Sequence, residues 1–73
     1  MIKRKVIAEG ILLKQDNGRY AINGDFQVTS GMVVEVEDGF KWVETSVEWN
    51  GDYYFVKLPD KSMRDARVRL RDF

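Results

Sequence analysis

The chain has 73 residues with no cysteine and no histidine, and its twelve basic side chains balance twelve acidic ones. A core of this size rarely supplies more than about 3–5 kcal/mol of net stability without a staple, and neither a disulfide nor the usual zinc ligands can add to it. No apolar run approaches the ~20 residues that span a bilayer. Lys3-Arg4-Lys5 leads only into short apolar runs broken by Glu9 and Gly10, so no secretory leader is read. One soluble, cytoplasmic domain over residues 1–73 is expected.

From the N-terminus, Lys5 to Lys14 is apolar and β-branched, and Glu9-Gly10 interrupts it as a bulge or bend would. Asn17-Gly18 offers a turn and Arg19–Ile22 a return strand, in a register that sets Leu13 opposite Ile22, with Tyr20 and Ile11 on the same side. Asn23-Gly24 is a further turn signal. Phe26 and Val28 then alternate with polar neighbours, and Thr29-Ser30-Gly31 leads into the centre of the chain.

That centre, Met32 to Leu58, reads as two hairpins sharing the long strand Phe40–Trp49. Asp38-Gly39 and Asn50-Gly51 suit the positive-φ positions of two-residue turns. Two-residue loops set Val34 opposite Val43 and Met32 opposite Thr45. They also set Val43 opposite Leu58, Thr45 opposite Val56 and Val47 opposite Tyr54. Met32, Val34, Val36, Val43, Thr45, Val47, Tyr54, Val56 and Leu58 then share the core face. Val33, Phe40, Trp42, Tyr53 and Phe55 fall on the outer one. Pro59 ends the last of these strands, since it lacks a ladder donor. A single 3₁₀ turn is expected near Ser62–Asp65. In the final strand Ala66, Val68 and Leu70 point inward and Arg67, Arg69 and Arg71 outward.

Turn dipeptides at this density and apolar positions that alternate leave no room for a helix. The expected fold is all-β, a small five- or six-stranded SH3-like barrel built around a three-stranded meander, with the last strand near the first. A small OB-like barrel is the runner-up.

GRYAING at Gly18–Gly24, TSGMVVEV at Thr29–Val36, and WVETSVEW followed by GDYYFV resemble a family of short uncharacterised proteins, a domain of unknown function, from Gram-positive bacteria and their mobile elements. The resemblance runs from about Gly10 to Leu70. It implies no activity and carries over no functional residue. Proline-rich-peptide SH3 families match less well, because their ALYDY-type segment is missing.

Catalysis finds little footing. Without His or Cys the usual bases and the most reactive nucleophile are gone. Glu44 and Glu48 stand about 13 Å apart along a strand, beyond the roughly 5–9.5 Å of a working carboxylate pair. No glycine leads from a strand into a helix as a phosphate loop would. A non-enzymatic protein with no cofactor and no metal is expected.

Two binding surfaces remain. The first is the outer aromatic face, with Val33, Trp42, Tyr53 and Phe55 as contacts for another protein or a second copy of the chain. Trp49 reads as a lid on the core. The alternative is a basic stripe of Lys3, Arg4 and Lys5 beside Arg67, Arg69 and Arg71, able to meet nucleic-acid phosphates. Charge distribution permits it: residues 1–31 carry five basic and three acidic side chains, 32–59 two and six, and 60–73 five and three. The pI of about 6.2 argues against a dedicated nucleic-acid binder. Glu35, Glu37 or Asp72 could instead neutralise the arginines.

Overall fold

The computed structural model of the chain describes residues 4–72. Its strands are β1 (Val6–Lys14), β2 (Tyr20–Ile22), β3 (Phe26–Val28), β4 (Val33–Asp38), β5 (Lys41–Trp49), β6 (Tyr53–Phe55) and β7 (Arg67–Arg71). All neighbours are antiparallel, in the order β3-β2-β1-β7-β4-β5-β6. The sheet curls into an open half-barrel of seven strands, where five or six were expected. The difference lies in Phe26–Val28, a three-residue strand at one end of the sheet; the third strand of the meander, Tyr53–Phe55, was expected and holds the other end.

Two nine-residue strands make the curl possible. β1 pairs with β7 over its first part and with β2 from Leu12 onward. β5 pairs with β4 up to Ser46 and with β6 from Val47. Each therefore turns a corner of the barrel. The last strand does lie beside the first, and β7 also pairs with β4, which ties the N-terminal strands to the meander.

Hairpin length decides which side chains reach the core. In the β4–β5 hairpin Asp38 pairs with Lys41, so the two-residue turn is Gly39-Phe40 and not Asp38-Gly39. Gly39 takes a φ of 65° there. Val34 consequently meets Thr45 and Val36 meets Val43. The offset changes each partner by two residues, so the faces stay as expected.

The β5–β6 hairpin departs more seriously. Trp49 pairs with Tyr53, leaving the three-residue loop Asn50-Gly51-Asp52. One extra loop residue turns every side chain of the return strand over. Phe55 therefore enters the core opposite Val47 and is fully buried, while Val56 is exposed. Tyr54 lies opposite Glu48 on the other face, and Tyr53 packs against the core. The β1–β2 connection repeats the pattern. The Gln15 carbonyl accepts from Gly18 N–H at 2.9 Å, and Gln15 N–H donates to Arg19 O at 2.7 Å. Gly18 has a φ of 84°, so this is a type I turn followed by a left-handed residue. Leu12, not Leu13, opposes Ile22 and is buried, and Leu13 is exposed.

The core gathers Leu12, Tyr20, Ile22, Val28, Val34, Val36, Val47, Phe55, Met63, Ala66, Val68 and Leu70. Thr45 is its buried polar member, and its hydroxyl is satisfied. Oγ1 accepts from Lys57 N–H at 2.9 Å and donates to Ser46 O at 3.2 Å. The register irregularity in β1 falls between Val6 and Ala8, not at Glu9-Gly10. Gly10 has another reason to lack a side chain, because the Asn23 side chain lies where a Cβ would stand. In place of a 3₁₀ turn, Ala66 N–H closes a turn on Met63 O at 3.2 Å, with Asp65 at a φ of 65°. Asp65 N–H and Leu12 O, and Leu12 N–H and Ala66 O, fasten that turn to β1 at 2.9 Å each.

Candidate binding surfaces

The outer face of β7 and β4 carries a lattice of charge. Arg69 Nε donates to Glu35 Oε1 at 2.8 Å, and Arg71 Nε donates to the same oxygen at 2.6 Å. Arg67 reaches Glu9 across β1 at 2.7 Å and Glu37 across β4 at 3.7 Å. The Arg69 guanidinium also lies 4.1 Å from the centre of the Trp42 ring. Alternation makes this inevitable: a strand reading Arg-x-Arg-x-Arg between two strands that turn Glu outward sets unlike charges side by side. Partial burial pushes the Glu35 carboxyl up, but the hydrogen bonds and charges of Arg69 and Arg71 outweigh it and hold the group below its ordinary range.

These contacts decide what the basic stripe offers. Arg67, Arg69 and Arg71 are already engaged with Glu9, Glu35 and Glu37. Arg71 Nη1 also donates to Arg4 O at 2.6 Å. Asp72 N–H donates to Lys5 O at 2.7 Å, which sets the end of β7 beside the start of β1, the neighbourhood expected for the last and first strands. Lys3 lies outside the described residues.

The outer aromatic cluster does not assemble as expected. Trp42 lies on that face, half-buried beneath Arg69, and Val33 is partly exposed. Phe55 is in the core and Tyr53 is on the inner side, both turned by the three-residue loop. Phe40 is fully exposed at the tip of the β4–β5 turn.

A different aromatic group stands at the open seam of the barrel. Trp49 packs edge-on against Tyr53 with ring centres 4.8 Å apart, and Tyr53 meets Tyr20 edge-on at 6.4 Å. Tyr20 belongs to β2 and Tyr53 to β6, strands that share no hydrogen-bond ladder. Side-chain packing thus bridges the seam where backbone pairing stops. Beside it lies a cleft of about 380 Å³ lined by Asn17, Gly18, Arg19, Thr29, Ser30, Trp49 and Tyr53. Trp49, expected as a lid, is 56% exposed along this cleft.

Three loops build the walls: the β1–β2 turn, the β3–β4 connection and the end of the β5–β6 hairpin. Asn17 Oδ1 accepts from Arg19 N–H at 3.0 Å, which fixes the first. Gly31 N–H donates to Val47 O at 2.8 Å, which anchors the second onto β5. Apart from Tyr53, none of these residues stood out as a contact in the sequence. Asn17-Gly18 and Thr29-Ser30 carry a turn signal, and only the curl of the sheet brings them beside Trp49. Among the described residues no group of three or more carboxylates is placed to hold a metal ion, and no helix is long and apolar enough to cross a membrane.

Fold and surface together define a small all-β half-barrel with an aromatic cleft at its seam. The chain belongs to the family described as Domain of unknown function (DUF5348), whose match spans residues 9–70 and so takes in every cleft residue. No curated protein and no solved structure matches it.

Proposed function

We propose that the protein is a non-catalytic binding module that holds an extended segment of a protein partner in the Trp49–Tyr53 cleft. The observation that carries this reading is the exposure of Trp49, a large side chain braced on Tyr53 beside polar walls. An aromatic anchor with a few convergent polar groups is the usual make-up of a peptide contact. The cleft volume of about 380 Å³ suits a few side chains, not a folded domain. Among the described residues, β3 and β6 end the sheet with no further strand beyond them, and β6 is bridged there only by Leu58 at Phe55. An extended segment can use such an edge for backbone pairing. Interaction with protein is thus the function expected from the sequence, moved from the outer sheet face to the seam.

The SH3-like barrel remains the architectural comparison we favour, supported by the serial hairpins and by the pairing of last strand with first. A cytoplasmic setting fits the absence of cysteine. Nucleic-acid binding by the basic stripe has weaker support, since its arginines would have to leave Glu9, Glu35 and Glu37.

The test is selection of ligands from a displayed random-peptide library, followed by titration of the best peptide into wild type and Trp49→Ala. Binding should be lost in the variant and should depend little on salt. Equal binding by both proteins would refute the proposal. Steeply salt-dependent binding of an oligonucleotide, lost in Arg69→Glu, would favour the stripe.

A further inference from the structure

Three Asn-Gly pairs occur in the chain, at 17–18, 23–24 and 50–51. An asparagine followed by glycine can lose its side-chain amide without an enzyme. The backbone nitrogen of the glycine attacks the asparagine Cγ, the new C–N bond closes a five-membered succinimide, and the Cγ–N bond breaks. Ammonia leaves, carrying the proton given up by the glycine nitrogen. One water then opens the ring at either carbonyl, leaving an aspartyl or isoaspartyl residue. No oxidant or reductant is involved.

The fold treats the three pairs differently. At 23–24 both reacting groups are held. Asn23 Oδ1 accepts from Ile11 N–H at 3.0 Å, Nδ2 donates to Glu9 O at 3.4 Å, and Gly24 N–H donates to Ala21 O at 3.3 Å. At 17–18, Asn17 Oδ1 accepts from Arg19 N–H at 3.0 Å, and Gly18 N–H donates to Gln15 O at 2.9 Å. At 50–51 the backbone N–H of Asn50 is bonded to Asp52 O at 3.0 Å. Among the described residues, neither the Asn50 side chain nor the Gly51 N–H makes a hydrogen bond, and both residues are exposed.

We propose that Asn50-Gly51 is a spontaneous modification site, at which the Asn50 amide is lost from the folded protein while Asn17 and Asn23 are protected. The chemistry is independent of what the cleft binds. Its consequence is local to the loop that sets the register of β6. An isoaspartyl link adds a methylene to the backbone of that three-residue loop, and either product adds a negative charge between Trp49 and Asp52.

The test is incubation of the folded protein in mildly alkaline buffer, with peptide mapping of each site and isoaspartyl labelling by a methyltransferase. Conversion at Asn50 should outrun that at Asn17 and Asn23 by about tenfold or more, the factor one or two ordinary hydrogen bonds impose. In denaturant the three rates should converge, because the flanking glycine is common to all. Conversion of Asn17 or Asn23 as fast as Asn50 in the folded protein would overturn the proposal. So would a rate order that persists unchanged in the denatured chain.

Discussion

Val47 and Phe55 are cross-strand partners, and both side chains are fully buried. The pairing depends on the three residues of Asn50-Gly51-Asp52, and it sets which aromatic groups of β6 face the core. Phe55→Ala should cost about 3–5 kcal/mol, the usual loss for a buried phenylalanine. That matches the whole stability of about 3–5 kcal/mol available to a domain this small. Denaturant titration should therefore find Phe55→Ala largely unfolded. Val56→Ala, one residue on and exposed, should stay within about 0.5 kcal/mol of wild type. The opposite ranking would mean the register is wrong.

Gly10 and Asn23 form a second dependent pair. The Asn23 side chain occupies the space above Gly10 and bonds the backbone on either side of it, at Glu9 O and Ile11 N–H. Gly10→Ala should destabilise by about 1–3 kcal/mol through this collision. In an Asn23→Gly background the same change should cost much less, because the colliding atoms are gone. A double-mutant cycle measures the difference directly, and additive effects would exclude the contact.

Glu35 predicts the acid behaviour of the outer face. Its folded pKa lies below its ordinary value of 4.5, because Arg69 and Arg71 outweigh the opposing effect of burial. A carboxylate depressed on folding contributes stability that is complete above its unfolded pKa and lost as the pH falls through the folded one. Wild type should therefore weaken progressively below pH 4.5, and Glu35→Gln should flatten that slope. At neutral pH the substitution should cost about 1–3 kcal/mol, between the values for exposed and buried pairs. Equal acid slopes for both proteins would place the effect elsewhere.

Much of this architecture is legible in the residues. Alternation in Ala66–Arg71 separates Val68 and Leu70 from the arginines, and the glutamates that could neutralise them lie at the right parity in β4. The orientation of β6 is not legible, because Asn-Gly suits a two-residue turn and also fits within a three-residue loop. The two differ by a single residue of pairing, and that residue moves Phe55 from surface to core. The cleft is hidden for another reason. Its walls come from loops distant in the chain, and no local pattern reports that Thr29 and Trp49 will be neighbours.

Trp42 separates the two faces experimentally. Its ring supports Arg69, so Trp42→Ala should lower stability by about 0.5–2 kcal/mol through the lost cation–π contact. Binding to a library-selected peptide should persist. Loss of peptide binding in a variant that remains folded by circular dichroism would return the interface to the outer sheet.

The most direct measurement is an amide chemical-shift map of the ¹⁵N-labelled protein during titration with that peptide. With the peptide in the cleft, the largest shifts should fall on Asn17–Arg19, Thr29, Ser30, Trp49 and Tyr53. Shifts centred instead on Val33, Glu35, Trp42 and Arg69, with the seam unmoved, would contradict that placement.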